Sequence, residues 1–321
     1  MNASLSRRDF LHRSVWAGLA AVAGPSLLTR ALAAAPPEPV PPGPAGSPAD
    51  LGLATQDDGF EAALASLALL GGIERFVKSG ARVGVVINAP RWWTRTGSFT
   101  SPDVSLAVVK RCAEAGAREI VTIQEPRGGY WERSTHAAAC RKELALVKPD
   151  PDNFVEVGIP RGLALKKAEV RRTLLDCDVI IDLPIVKHHA GTGFTACLKN
   201  MMGACSGSTN RFFHNGSGAS EEYGDVAFLS QCIADLNLVR KPDLNVCDAT
   251  QYLVTNGPAG PGELKRSRSV VAGTDCVAVD AYCAATFLKL RPERVAMIQK
   301  AFEHGIGQID WNRLAVRVHG A

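Results

Sequence analysis

Apolar positions recur at helix and strand spacing along most of the chain beyond residue 55. Phe60, Leu64 and Leu67 fall at i, i+4 and i+7, one face of a helix that Asp58 is placed to cap. Gly71-Gly72 ends it, and Ile73, Phe76 and Val77 mark a second short helix. Residues 82–88 (RVGVVIN) read as a short, mostly apolar strand. Ser101-Pro102-Asp103 supplies a capping hydroxyl, a first-turn proline and an early acid, so a helix starts there and runs to Gly116. Residues 119–124 (EIVTIQ) form the next strand. Strand, helix and strand at this spacing make a βαβ unit, which implies a parallel sheet.

The alternation continues. Strands are expected at 154–159, 178–186, 244–249, 269–272 and 314–318. Helices are expected at 163–175, 194–202, 225–238, 277–288 and 292–304. The segment 178–186 (DVIIDLPIV) is the most apolar strand and therefore central. The class is α/β, with a mainly parallel sheet and helices on both faces. No repeat with a period of 20–50 residues is visible.

Composition narrows the class without changing it. The chain has 321 residues, 46% hydrophobic and 21% charged, which suits a globular protein of one large or two small domains. Collagen-like, coiled-coil and wholly disordered classes are excluded. The net charge of +4 is concentrated at the start, where Arg7, Arg8, Arg13 and Arg30 face Asp9 alone. The remainder is close to neutral, so nucleic acid is not an expected partner.

The opening Ser6-Arg7-Arg8-Asp9-Phe10-Leu11 resembles the twin-arginine export motif. The apolar stretch 15–28 behind it is 14 residues long, short of the 18 or more that a membrane span needs, and Gly18, Gly24 and Pro25 interrupt it. Ala31-Leu32-Ala33 supplies a small-x-small cleavage site. A signal peptide over 1–33 is expected, with the twin-arginine translocase as partner during export. A periplasmic or extracellular location and no stable membrane anchor after cleavage follow. Residues 34–50 carry seven prolines, so 34–54 reads as an extended linker and 55–321 as the folded domain.

Candidate chemistry gathers after the strand 178–186. Lys187-His188-His189-Ala190-Gly191-Thr192-Gly193 occupies the carboxyl end of a central strand, where open parallel sheets place their ligands. Gly191 and Gly193 allow close backbone approach, and amides at the following helix start favour an anion. Lys199, beside Asn200, is four residues from Thr195 on the expected helix and could reach the same anion. His214 lies in a Gly/Ser-rich stretch, 206–220, that reads as a lid or binding loop. Asp248 ends its own strand, Asp182 lies within one, and Asp280 falls between apolar helix positions. His188 or His189 is the expected acid/base, with His214 facing the ligand. Lys187 and Lys199 hold the negative charge, and Asp248 and Asp280 orient the site or bind a metal.

Several chemistries lack their signature. Asp182, Asp248, His188, His189 and His214 are chemically fit for zinc, iron or nickel, yet no HxxxH or HExxH spacing supports a metal. None of the nine cysteines forms CxxC, so no iron-sulfur cluster is expected to be bound by this chain alone. No GxxxxGK[ST] and no GxSxG occurs. Gly191-x-Gly193-x-x-Ala196 is a lone partial match to a dinucleotide fingerprint, without the acid that a second strand should supply.

Taken together, these residues resemble the family catalogued as domain of unknown function 362, over roughly residues 64–307. The most specific stretch runs from Asp178 to His189, followed by Thr195, Leu198-Lys199-Asn200 and Gly203. His214, Asp248, Gly257-Pro258 and the segment from Gly273 to Asp280 also match. Two departures stand out. Asn88-Ala89-Pro90 replaces a K-P-N pattern after the first strand, and the cluster-binding cysteines of many members are missing. The expected function is an exported enzyme acting on a small anionic substrate or an anionic cofactor through Lys/His chemistry, with metal assistance left open. The alternative is a non-catalytic ligand- or metal-binding accessory protein of a redox system.

Overall fold

The computed structural model describes residues 50–90, 95–215 and 225–320. The expected signal peptide, most of the linker, and residues 216–220 of the expected loop lie outside these. The strands are β1 (Leu51–Thr55), β2 (Arg82–Ile87), β3 (Glu119–Thr122), β4 (Val147–Pro149), β5 (Phe154–Gly158), β6 (Lys167–Arg171), β7 (Val179–Leu183), β8 (Leu244–Leu253), β9 (Leu264–Gly273) and β10 (Val316–His319). The principal helices are α1 (Gly59–Leu69), α2 (Pro102–Glu114), α3 (Arg141–Leu144), α4 (Arg172–Asp176), α5 (Cys197–Asn200), α6 (Gly207–Asn215), α7 (Val226–Leu236), α8 (Cys276–Phe287) and α9 (Ala296–Glu303). Among the described residues no helix is long and apolar enough to cross a membrane.

Eight strands form one sheet in the order β10-β1-β9-β8-β7-β2-β3-β4. Every neighbouring pair is parallel except the two made by β9, which runs against both β1 and β8. The chain is therefore α/β with a mainly parallel sheet. Alternation along the strands divides the core into two layers. Val83, Val85, Val179 and Ile181 pack with α1 and α2 on one face. Val86 and Ile180 pack with α7, α8 and α9 on the other. β7 is buried at every position, as a central parallel strand requires.

Local rules account for the helix starts. Asp58 Oδ1 accepts from the Phe60 amide at 2.8 Å, and Ser101 Oγ from the Asp103 amide at 3.3 Å. Asp275 Oδ1 accepts from the Val277 and Ala278 amides at 2.9 and 3.0 Å. Gly71 and Gly72 end α1 with φ of 87° and 88°, a region side chains avoid.

Four expectations need correction. The folded part begins before residue 55: β1, starting at Leu51, completes ladders with β9 and β10. The helix expected over 163–175 is instead β6 followed by the short α4. Lys167 to Arg171 alternates polar and apolar, burying Ala168 and Val170, and pairs with β5 in a separate hairpin that stands outside the main sheet. The loop expected over 206–220 contains α6, which Ser206 caps by accepting from the Thr209 amide. Its Gly/Ser content hid an apolar anchor, the fully buried Phe213. Finally, the helix expected over 194–202 starts only at Cys197, because Thr195 pairs with Lys187 in an antiparallel bridge.

A cavity beyond β7 holds two neutral imidazoles and an amine

A cavity of about 630 Å³ opens beyond the carboxyl end of β7. It brings together His189, Gly191, Thr195, Lys199, Asn200 and His214. They come from different elements. His189 and Gly191 lie on the turn after the strand, Lys199 and Asn200 on α5, and His214 on the last turn of α6.

The two histidines present opposite faces. His189 Nδ1 accepts from the Gly191 and Thr192 amides at 3.0 and 3.3 Å. That nitrogen carries no proton, so the neutral ring is protonated at Nε2. Burial, with the charges of Lys199 and Lys187 adding, pushes the His189 pKa down to about 2. In His214 the arrangement is reversed. Nδ1 lies 2.8 Å from the Asn210 carbonyl oxygen, which can only accept, so Nδ1 is protonated and Nε2 keeps its lone pair. Burial lowers the His214 pKa, with Lys199 adding, against the pull of the Asn210 carbonyl. The site thus offers an N–H donor on His189 and a proton acceptor on His214.

Lys199 stands between solvent and core, and burial lowers its pKa to about 8. Its Nζ lies 3.3 Å from Met202 Sδ, a weak acceptor. Thr195 Oγ1 is buried without a hydrogen-bond partner among the described residues. Arg171 also lines the cavity; its Nη1 lies 2.7 Å from both Asp150 and Asp152, and its buried Nε has no partner among the described residues. No acidic side chain lines the cavity among the described residues.

Five of the expected site residues lie elsewhere. Lys187 is fully buried and donates from Nζ to Asn88 Oδ1 at 3.0 Å and to the Ser98 carbonyl. It supports the cavity wall rather than the ligand. Asn88 Nδ2 in turn donates to Asn200 Oδ1 at 2.8 Å, and Asn200 Nδ2 to Asp182 Oδ1 at 2.6 Å. His188 Nδ1 accepts from the Gly257 amide at 3.1 Å and ties two loops together. Gly193 is an exposed turn residue with a φ of 72°. Asp248 accepts from the Ser101 and Thr250 amides at 2.7 Å and from Thr250 Oγ1 at 2.6 Å. Asp280 accepts from the Cys197 and Leu198 amides at 2.7 and 3.1 Å, which fixes the start of α5. Both carboxylates organise backbone, because each sits where several amides converge. His189 also departs from its expected acid/base role near neutrality, since burial keeps its ring uncharged.

Arg171, Asn88, Gln124 and Asn210 line the cavity without having been expected. Arg171 sits on β6 and Asn210 on α6, elements that the sequence pattern presents as a helix and a loop, so neither is expected at the cavity wall. No group of three His, Cys, Asp or Glu able to hold a metal occurs among the described residues. The nine cysteines are all buried and unpaired.

Burial, with the Cys247 charge adding, raises the Asp280 pKa to about 8 from 3.8. Across that window the folded chain keeps a proton that the unfolded chain has released. Stability from this group is therefore lost as pH rises from about 4 to 8 and is level above that. Asparagine at 280 has no such titration. Denaturant melts should show wild type losing up to about 1.4 kcal/mol per pH unit relative to Asp280→Asn over this range. Parallel pH profiles for the two proteins would show the carboxylate to be ionised instead.

The model of the family described as domain of unknown function (DUF362) matches residues 83–285. The chain belongs to this family. The match covers the strands and helices that build the cavity, from β2 to most of α8. Among relatives, the thylakoid-associated protein sll1697 of Synechocystis is 26% identical over 241 residues, covering 70% of this chain and 68% of the relative. Among solved structures, the lactate racemase apoprotein of Thermoanaerobacterium thermosaccharolyticum is similar in part. It has a TM-score of 0.36 and 13% identity, over 61% of this chain and 49% of that one. A Thermotoga maritima protein gives a TM-score of 0.31 and 14% identity, over 59% and 50%. The chain spans about half the length of these two proteins. At such scores neither carries an argument about activity.

Proposed function

We propose that this member of the DUF362 family is an exported enzyme that acts on a small anionic substrate or an anionic cofactor. One observation carries the reading. The cavity holds the ammonium of Lys199 with no carboxylate beside it among its described lining residues. A cation whose counter-charge is missing from a partly buried site favours an anion there. Thr195 Oγ1 and His189 Nε2–H add donors for the same ligand, and His214 Nε2 can take a proton from it. A non-catalytic accessory protein would need only the cations. The pairing of a protonated Nε2 with an unprotonated one favours proton transfer, because the two rings are set for opposite roles.

The test is native mass spectrometry, with metal analysis, of the full chain recovered from its own host. Cell fractions are compared alongside it. The expected result is a mature form in the periplasm that retains a small acidic compound through gentle desalting. Retention of neutral or cationic compounds in its place would overturn the anion reading. Cytoplasmic accumulation of a chain still carrying residues 1–33 would overturn export.

A further inference from the structure

Resting on the anion reading above, we propose that Lys199 forms a covalent imine with the carbonyl carbon of a small 2-oxo acid held in the cavity. Three observations on the site lead there. The Lys199 amine lines the cavity and has a thioether as its partner, and no carboxylate among the described lining residues holds it in the ammonium form. A lysine in such surroundings sheds its proton more readily than one in open water, which suits imine chemistry. Second, His214 Nε2, the unprotonated nitrogen of a ring fixed by Asn210, lines the same cavity and can receive the ammonium proton. Third, His189 Nε2–H and the unpartnered Thr195 hydroxyl can donate to the oxygens of the acid. Burial adds to this by easing the amine towards its neutral, nucleophilic form.

The step balances without any further reactant. Lys199 gives one ammonium proton to His214 Nε2. The freed lone pair on Nζ forms a C–N bond to the carbonyl carbon, and the C=O π electrons move to oxygen. A second proton passes from nitrogen to that oxygen, His214 returns the first, and water leaves. The product is an iminium whose nitrogen keeps the third proton. The ligand's carboxylate takes no part in bond making and serves to hold the carbonyl against the amine. That requirement is why the class is a 2-oxo acid rather than a neutral ketone.

The experiment treats the full chain at pH 7 with glyoxylate, pyruvate or 2-oxoglutarate in the presence of cyanoborohydride, which reduces iminium ions selectively. Adducts are located by peptide mass mapping, and binding of the same acids is followed by calorimetry. The expected result is a single reduced adduct on the peptide carrying Lys199. It should form on the order of a hundredfold faster than on other lysines, as a larger neutral fraction of the amine allows. It should be missing in Lys199→Arg. Binding of a 2-oxo acid without an adduct, or with adducts spread over surface lysines, overturns the imine and leaves the anion site standing. Neither binding nor adduct with any of the three acids overturns both.

Discussion

Replacing Lys187 with alanine is expected to lower the free energy of unfolding by about 3–5 kcal/mol. The residue follows the fully buried strand β7, which ends at Leu183, and its whole side chain is enclosed. Truncation leaves a void comparable to that of a deleted Leu or Met. It also strips the donor from Asn88 Oδ1 and the Ser98 carbonyl, at about 1–3 kcal/mol for each acceptor left dry. Lys187→Met separates the two terms, since it fills the volume without donating. Its cost should be about 2 kcal/mol near neutrality, from the hydrogen bonds alone. The pH dependence has a definite sign. Burial, helped by the charge of Lys199, lowers the Lys187 pKa well below 10.5. Below 10.5 the unfolded chain binds a proton that the folded chain resists, so wild-type stability rises with pH in that window. The deficit of the methionine variant should therefore widen from neutral pH towards pH 10. Urea melts at several pH values measure it. A deficit that stays constant would mean the amine is charged in the folded state.

That burial was not legible in the sequence, and the reason is specific. A lysine directly after an apolar strand reads as the first solvated residue of a loop. Here the backbone continues in bridged form, Lys187 to Thr195, and the segment carrying Ser98 crosses over it. The contact with Ser98 joins residues far apart in the chain, and no periodicity encodes either contact. The same holds for Asp248 and Asp280, whose positions were read from strand ends and helix faces. Besides the local Thr250, their partners are amides more than eighty residues away at Ser101, Cys197 and Leu198. By contrast, β2, β7 and the starts of α1, α2 and α8 rest on local signals: apolar runs, capping side chains, a first-turn proline. Those signals were sufficient because each acts within a few residues. His189, Thr195, Lys199, Asn200 and His214 could be placed near one another because a parallel sheet delivers its strand ends to one edge. The proton states of the two histidines could not, since they depend on which backbone group meets each Nδ1.

Lys199→Ala is expected to weaken binding of a small anion by roughly tenfold to a hundredfold, the worth of one charge-assisted contact. It should leave the unfolding free energy within about 1 kcal/mol of wild type. The contrast with Lys187 follows from their partners. Lys187 satisfies buried oxygens, whereas among the described residues the Lys199 amine meets a sulfur and the cavity. Lys199→Arg keeps a charge and should retain part of the affinity, though its longer planar head fits differently. With an amine that titrates near 8, wild-type affinity should fall as pH rises from 7 to 9, because deprotonation removes the charge that attracts the ligand. The alanine variant should lack that fall. Calorimetry with phosphate and pyruvate across this pH range, on wild type and both variants, reads all three effects. Wild-type affinity in Lys199→Ala would place the anion elsewhere in the cavity, with Arg171 as another cation among its described lining residues. A large loss of stability in the same variant would instead give Lys199 the structural role that the geometry assigns to Lys187.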